Sequence, residues 1–421
     1  MSEPKPLETE PYKGVRDFYP EELALRKAVF NTIRGVLEQY GYQEYDASPL
    51  EPSELYERKG NEEIIREQTF SFEDRGGRRV TLRPEMTPTL ARMVAHKRRE
   101  LAFPLRWYSI GNRFRYERPQ KGRLREFFQT DVDLVGLPQG EADFEIIGLA
   151  SRVMKAFGAQ DADFIVRINS RSLLKEASAR AGHNKETSRA YLRLLDRKDK
   201  ISKEEYEREL ASLGEADPLS VIENAQGDEI AEERDRIMRV VEELQKRGVT
   251  NAVYDPTLTR GFDYYTGVVF EVFDTDPENP RALFGGGRYD ELVTLFGGDP
   301  IPAIGFAFGD VTFIDFLTTH NLLPTAHSAP RVHILIENPS DVELARTFQD
   351  TYLSGVSSTV GISGKSVGDQ IKEADRRGTP FVLFFKSDYA SSPLALKELS
   401  TGTQEDLRAQ DIAPYLEKAG A

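Results

Sequence analysis

"NRFRYERPQKGRLREFFQTDVDLVG" spans residues 112–136. It reads as a long antiparallel hairpin with a basic tip. Two strand-like halves flank the loop "PQKGR", where Arg118, Lys121, Arg123 and Arg125 crowd together and Gly122 lets the chain turn. Strand side chains alternate between faces with a period of two, so Arg113, Arg115 and Glu117 share one face of the first half. In the second half Phe127, Gln129, Asp131 and Asp133 share one face, and Phe128, Thr130, Val132 and Leu134 share the other. The second set suits a core. The first places an amide, two carboxylates and an aromatic ring in the middle of a sheet, where burial is costly unless something pairs with them. A polar ligand lying on the sheet would satisfy these groups; a solvated sheet face is the alternative.

Outward from the hairpin the pattern is mixed. An amphipathic helix is expected over 20–41, with Val29, Ile33, Val36, Leu37 and Tyr40 at helical spacing. "TLRPEMTPTLARMVA" (81–95) ends a strand in Arg-Pro-Glu and enters a helix, with Thr87 as the expected N-cap and Pro88 in the first turn. Glu85, just before that helix, could face its dipole or bind a cation such as an ammonium group. Another helix is expected over 140–157. Residues 171–250 are highly charged and helix-prone. Strands return over 252–308, where "TLTRGFDYYTGVVFEVF" (257–273) sets Arg260, a glycine and Tyr264–Tyr265 at the mouth of an apolar strand. "FGGGRYDELV" (284–293) holds three glycines before Arg288; it reads either as a turn between strands or as a close approach of backbone to a ligand. After "NLLPTAHSAP" (321–330), strand–helix alternation indicates a small α/β domain of about 90 residues.

The composition excludes several classes. With 421 residues there is room for two or three domains, and 39% hydrophobic with 30% charged residues describes an ordinary soluble protein. No apolar run is long enough for a membrane span, and the polar, acidic start lacks the pattern of a secretory signal. Cysteine is absent, which removes disulfides and thiolate metal sites and fits a cytoplasmic protein. The five histidines show no ligand spacing. A net charge of −14 argues against a general nucleic-acid coat, but leaves room for a local basic site.

Together these stretches resemble the histidyl-tRNA synthetases, a family of class II aminoacyl-tRNA synthetases. "GVRDFYPEE", "TLRPEMTP", the 112–136 hairpin (similar to class II motif 2 in its histidyl form), "TRGFDYYTGVVFEVF", "GGGRYD" and "KSVGDQIKEADRRGTPFVLFF" carry the resemblance over nearly the whole chain. It implies an α+β catalytic domain with a mostly antiparallel sheet, in two parts over 1–170 and 251–320. It also implies a helical insertion over 171–250, a linker over 321–330, and a small C-terminal α/β anticodon-binding domain over 331–421. The implied activity is histidine–tRNA ligation: L-histidine is joined to ATP, then transferred to tRNA(His). The expected setting is a cytoplasmic homodimer, with Mg2+ accompanying ATP.

The resemblance also implies roles. Arg260 and Arg115 would stabilise charge at the α-phosphate. Glu85 and Thr87 would hold the α-amino group with Gln129, Asp133 and Tyr265 would meet the imidazole, and Tyr264 would also bind histidine. Arg115, Glu117, Arg123, Phe127 and Arg288 would bind ATP, with Phe127 on adenine and Arg123 at the outer phosphates. Arg118, Gln120, Lys121 and Arg125 would touch the tRNA acceptor end. One departure stands out. Class II motif 3 usually ends in a G-x-E-R-type stretch whose arginine grips the γ-phosphate, but "PAIGFAFGDVTFIDFL" puts Thr312 there. Arg288 is the first candidate to replace that arginine, and Arg123 the second. A paralogue that serves as a regulatory subunit of ATP phosphoribosyltransferase would also fit Thr312, yet it usually lacks the R-G-x-D-Y-Y stretch and the C-terminal domain. An amino-acid sensor without catalysis is a third reading.

Overall fold

The computed structural model describes residues 7–57, 68–119, 122–198, 201–214, 216–259, 264–279, 281–361 and 364–419. The chain divides into two compact units, one of Met1–Asp17 with Val29–Pro324, the other of Phe18–Ala28 with Thr325–Ala421.

In the first unit the strands are β1 (Gln43–Glu44), β2 (Leu50–Pro52), β3 (Phe70–Glu73), β4 (Arg79–Leu82), β5 (Leu105–Phe114), β6 (Glu126–Val135), β7 (Phe164–Ser170), β8 (Ala252–Tyr254), β9 (Val268–Asp274), β10 (Ala282–Arg288) and β11 (Ala303–Gly309). Eight of them form one sheet in the order β1-β5-β6-β11-β10-β9-β7-β8, while β2, β4 and β3 form a small sheet. The two outer pairs, β1·β5 and β7·β8, are parallel and the interior pairs are antiparallel. The 112–136 stretch is thus the β5–β6 hairpin, with Arg113 opposite Phe127. Thr130, Val132 and Leu134 are buried, as the alternation of the sequence requires. The helix Pro20–Gln39 buries Val29, Phe30, Ile33 and Leu37. Tyr40, expected in that stripe, lies beyond the helix and stays exposed, with the Arg152 guanidinium 5.0 Å above its ring.

Between β7 and β8 the chain is helical: Arg171–Arg180, Lys185–Asp196, Lys203–Ser212, Pro218–Asn224 and Glu229–Lys246. The sequence punctuates these helices itself. Ser170, Asn184, Ser202, Asp217 and Asp228 each accept a backbone N–H of the first turn that follows. Leu173, Leu174, Tyr191, Leu219, Ile222 and Ile230 give this region an apolar cluster of its own.

The second unit carries β12 (Val332–Leu335), β13 (Ser358–Val360), β14 (Phe381–Phe384), β15 (Leu394–Glu398) and β16 (Gln404–Leu407), in the order β13-β12-β14-β15-β16. The pairs of β12 are parallel and those of β15 antiparallel. Strand β16 escaped the sequence reading because "QEDL" is polar and largely exposed. Val332, Ile334, Phe348, Phe381, Leu383, Leu394, Leu396 and Ile412 form the core of this unit.

Candidate active site

Register decides what lies on the open face of the large sheet. Asp133 pairs with Gly305 and Asp131 with Ala307; across the next ladder Gly305 pairs with Gly287 and Ala307 with Gly285. Residues opposed in a ladder project to the same face. The alternation A-I-G-F-A-F-G over 303–309 therefore lays Gly305, Ala307 and Gly309 as a low floor beside the polar row of β6. The phenyl rings of Phe306 and Phe308 pack with Phe284. The three glycines read as a turn or a ligand approach are in fact the middle of strand β10. A Cβ on Gly286 would fall 1.9 Å from the Gly305 carbonyl oxygen, and one on Gly287 would fall 2.8 Å from the Tyr265 ring. Those two positions are glycine because their neighbours leave no room, and Gly285 alone of the three lines a cavity.

That cavity, of about 160 Å³, is walled by Glu85, Thr87, Arg115, Gln129, Asp131, Asp133, Tyr264, Tyr265 and Tyr289. Its polar groups are organised from beneath. The buried Arg113 guanidinium donates to Asp131 Oδ2 at 2.6 Å, and Gln129 Nε2 donates to Asp131 Oδ1 at 2.7 Å. Tyr264 donates its hydroxyl to Glu85 at 2.9 Å, and Tyr289 donates to Asp133 Oδ1. Burial holds the Tyr264 and Tyr289 phenols well above their usual range, so both act as donors. Among the described residues the second oxygen of Asp133, Oδ2, is buried without a hydrogen-bond partner. A buried polar atom of this kind is costly unless it is paired, and a ligand group in the cavity could pair with it.

Burial also pushes the Glu85 carboxyl up to about 7, against the opposing pull of Arg115 and the Tyr264 hydroxyl. It pushes Asp133 up to about 8, with nearby Asp131 adding to the rise and the Tyr289 hydroxyl and Arg113 opposing it. Glu85 precedes the helix Thr87–Lys97, whose dipole favours the ionised form and so acts against the rise that burial brings. A carboxyl held above its unfolded value gives stability that is fully present below about pH 4 and is lost as pH rises through the folded value. The ligand-free protein is therefore expected to lose unfolding free energy between about pH 4.5 and 8. Glu85→Gln should make that decline shallower. Urea unfolding at pH 5 and pH 8 checks it; equal slopes for the two proteins would refute the assignment.

A second cavity, of about 210 Å³, is lined by Arg115, Glu117, Gly122, Arg123, Leu124, Phe127, Gln129, Gly309, Val311 and Thr312. It shares Arg115 and Gln129 with the first. Arg115 is held at this junction: its Nε donates to the Pro84 carbonyl at 3.0 Å, and its guanidinium lies 5.2 Å from the centre of the Phe127 ring. Arg123 pairs with Glu117 at 3.3 Å and is largely exposed.

A family profile described as Histidyl-tRNA synthetase matches residues 14–311, a span that includes every residue lining either cavity except Thr312. The chain belongs to the histidyl-tRNA synthetase family. A Histidine--tRNA ligase of Leptospira biflexa is 40% identical, the match covering 96% of each chain, and one of Thermoplasma volcanium is 35% identical over 98% of this chain and 99% of that one. Among solved structures, a histidyl-tRNA synthetase from Nostoc sp. PCC 7120 superposes with a TM-score of 0.81 at 23% identity, covering 98% of this chain and all of the other. A Bacillus halodurans protein described as an ATP phosphoribosyltransferase regulatory subunit/histidyl-tRNA synthetase gives 0.72 at 27% identity, covering 89% and 97%. The fold is accordingly the class II synthetase fold, with its large, mostly antiparallel sheet and a separate small sheet.

Set against the family's motifs, the structure gathers Glu85, Thr87, Gln129, Asp133, Tyr264 and Tyr265 around one cavity and Glu117, Arg123 and Phe127 around the other, with Arg115 in both. Two residues expected at ligands are elsewhere. Arg288 is buried, and its guanidinium donates to Asp143 at 2.8 Å and to Asp290 at 3.0 Å. Its charge is matched by these two carboxylates, away from the lining of both cavities. Arg125 lies 4.1 Å over the Tyr116 ring and donates to the Tyr12 hydroxyl and the Glu117 carbonyl, which ties the base of the basic loop together. Arg118 is exposed. Thr87 is the first helical residue, with Met86 at the N-cap, so its hydroxyl is not a cap. Arg260, Gln120 and Lys121 lie outside the described residues. The sequence reading missed Tyr289 and Asp131 as site residues. The period-two row had already placed Asp131 beside Gln129 and Asp133, whereas no local signal ties Tyr289 to Asp133.

Proposed function

We propose that the chain activates L-histidine with ATP to histidyl-adenylate, then transfers the histidyl group to the 3′ end of tRNA(His). The observation that carries this reading is the meeting of two polar cavities at Arg115 and Gln129. In the first, ionised Glu85 holds the α-ammonium group with Thr87 and Gln129, and Asp133 Oδ2 accepts the imidazole N–H between Tyr264 and Tyr265. In the second, Phe127 stacks on adenine and Arg123 reaches the outer phosphates. A carboxylate oxygen of histidine attacks the α-phosphorus while the bond to pyrophosphate breaks. The nucleophile is already an anion at neutral pH, so no general base is required. What the step needs is in-line placement and charge stabilisation, which the Arg115 fork supplies at the junction, with Arg260 beside it by the family pattern. In the second step a terminal ribose hydroxyl attacks the adenylate carbonyl and AMP leaves; a phosphate oxygen of the adenylate takes the hydroxyl proton.

Magnesium accompanies the triphosphate in this reading. Among the described residues no group of three His, Asp or Glu side chains could hold a metal by itself. Glu117 is the carboxylate lining the nucleotide cavity, and one carboxylate with phosphate oxygens is an ordinary magnesium set, so Glu117 would hold the ion, which would draw charge from the phosphates. Arg118 with Gln120 and Lys121 meets the tRNA acceptor end, and the C-terminal unit holds the anticodon end. A cytoplasmic homodimer completes the reading. No helix among the described residues is long and apolar enough to cross a membrane.

ATP–pyrophosphate exchange with each of the twenty amino acids tests the activity. Histidine alone should support exchange; none with histidine, or equal exchange with another amino acid, would refute it. The anticodon role has its own test. A soluble chain ending after Pro324 should still exchange pyrophosphate but charge tRNA with kcat/KM about 100-fold lower, because it loses the second of two linked contacts. Unchanged charging efficiency would remove that role.

A further inference from the structure

Thr312 leaves the nucleotide cavity without the arginine that motif 3 normally brings, and Arg288 is committed to Asp143 and Asp290. The strand that meets Thr312 points to another cation. Thr312 Oγ1 donates to the Leu283 carbonyl at 3.0 Å, tying the first turn of the helix Asp310–Thr319 to the start of β10. Arg281 lies two residues before Leu283 and is exposed. Gly122, which lines the cavity, sits against both: a Cβ built on it would meet Arg281 Nη1 at 3.4 Å and Thr312 Cγ2 at 3.7 Å.

We propose that Arg281 supplies the guanidinium that grips the terminal phosphate of ATP, entering from the β10 strand in place of the arginine absent at 312. The inference rests on the reading of this cavity as the ATP site. The short side chain of Thr312 is part of the device. An arginine there would crowd the space that Arg281 reaches and set two like charges side by side, whereas threonine leaves room and ties the strand through its hydroxyl. Arg281 is anchored where a sheet strand begins, so its fork arrives from a rigid support, and an arginine fork suits a phosphate better than a lysine.

The test uses the full-length protein and two readouts: ATP binding by calorimetry, and KM for ATP and for histidine in pyrophosphate exchange. Arg281→Ala should weaken ATP about 10- to 100-fold, the loss of one charge-assisted contact, while leaving AMP binding and the histidine KM within about twofold. Arg281→Lys should fall between. Thr312→Arg alone should leave ATP affinity unchanged or lower, but in the Arg281→Ala background it should recover most of the loss. Unchanged ATP affinity in Arg281→Ala, or a gain from Thr312→Arg alone, overturns the proposal. Calorimetry separates it from the activity itself. A parent protein that binds ATP through Arg281 yet shows no histidine-dependent exchange refutes the synthetase reading and leaves the Arg281 contact standing. A parent that does not bind ATP overturns both.

Discussion

Arg115→Ala is expected to slow histidine-dependent ATP–pyrophosphate exchange about 100- to 1,000-fold, the usual effect of removing one preorganised donor from a developing charge. Arg115 lines both cavities, so it is the cation best placed where carboxylate and α-phosphate meet. Among the described residues its guanidinium reaches the backbone at the Pro84 carbonyl, a single contact whose loss the fold should survive. A second effect follows from Glu85. Arg115 is the main influence holding that carboxyl down against burial, so its removal should move Glu85 still higher and shift histidine binding toward higher pH. Arg115→Lys keeps the charge but not the fork, and should recover the pH profile better than the rate. The checks are single-turnover adenylate formation and the pH dependence of histidine binding. A wild-type rate in a folded Arg115→Ala protein would remove Arg115 from the chemistry. The equivalent expectation for Arg260→Ala, near-abolished adenylation in a folded protein, rests on the family pattern alone.

Asp133→Asn should raise the KM for histidine by about 100-fold while changing the KM for ATP less than about threefold. Asparagine keeps the shape, and its carbonyl can still accept from the Tyr289 hydroxyl. What changes is the atom facing the cavity: Oδ2 is an unpartnered acceptor, and the amide offers a donor to a ligand N–H instead. Two donors then oppose each other in a buried site, which is worse than an empty place. The ligand-free variant should be at least as stable as its parent at pH 8, because a carboxylate no longer ionises in a buried site. That separates a binding defect from a folding defect. Equal changes in both KM values would mean that Asp133 serves the sheet and not the substrate.

Much of this site is readable from local periodicity. A period of two puts Phe127, Gln129, Asp131 and Asp133 on one face, and the register of β6 with β11 then sets Gly305, Ala307 and Gly309 beside them. The gap at Thr312 was visible because it is a comparison of residue types along the chain. The hydrogen bonds that tune the site were not. Tyr289 reaches Asp133 across 156 residues of sequence, and Tyr264 reaches Glu85 across 179. The first of these exists because β11 lies between β6 and β10, an order of strands that alternation alone does not specify.

Arg288 shows the division most clearly. By sequence it is an arginine after three glycines in a signature stretch, and a ligand role follows naturally. In the folded chain the buried Asp143, 145 residues away, takes its charge, so it is a structural ion pair. Arg281, with no signature of its own, ends beside Thr312 only because Gly122 and Leu283 converge there. Side-chain type and spacing determine which groups share a strand face, since that depends on neighbours one or two residues away. Which charge meets which group is decided by strand order and register, because Coulomb interaction and desolvation depend on distance and burial in space, not on separation along the chain.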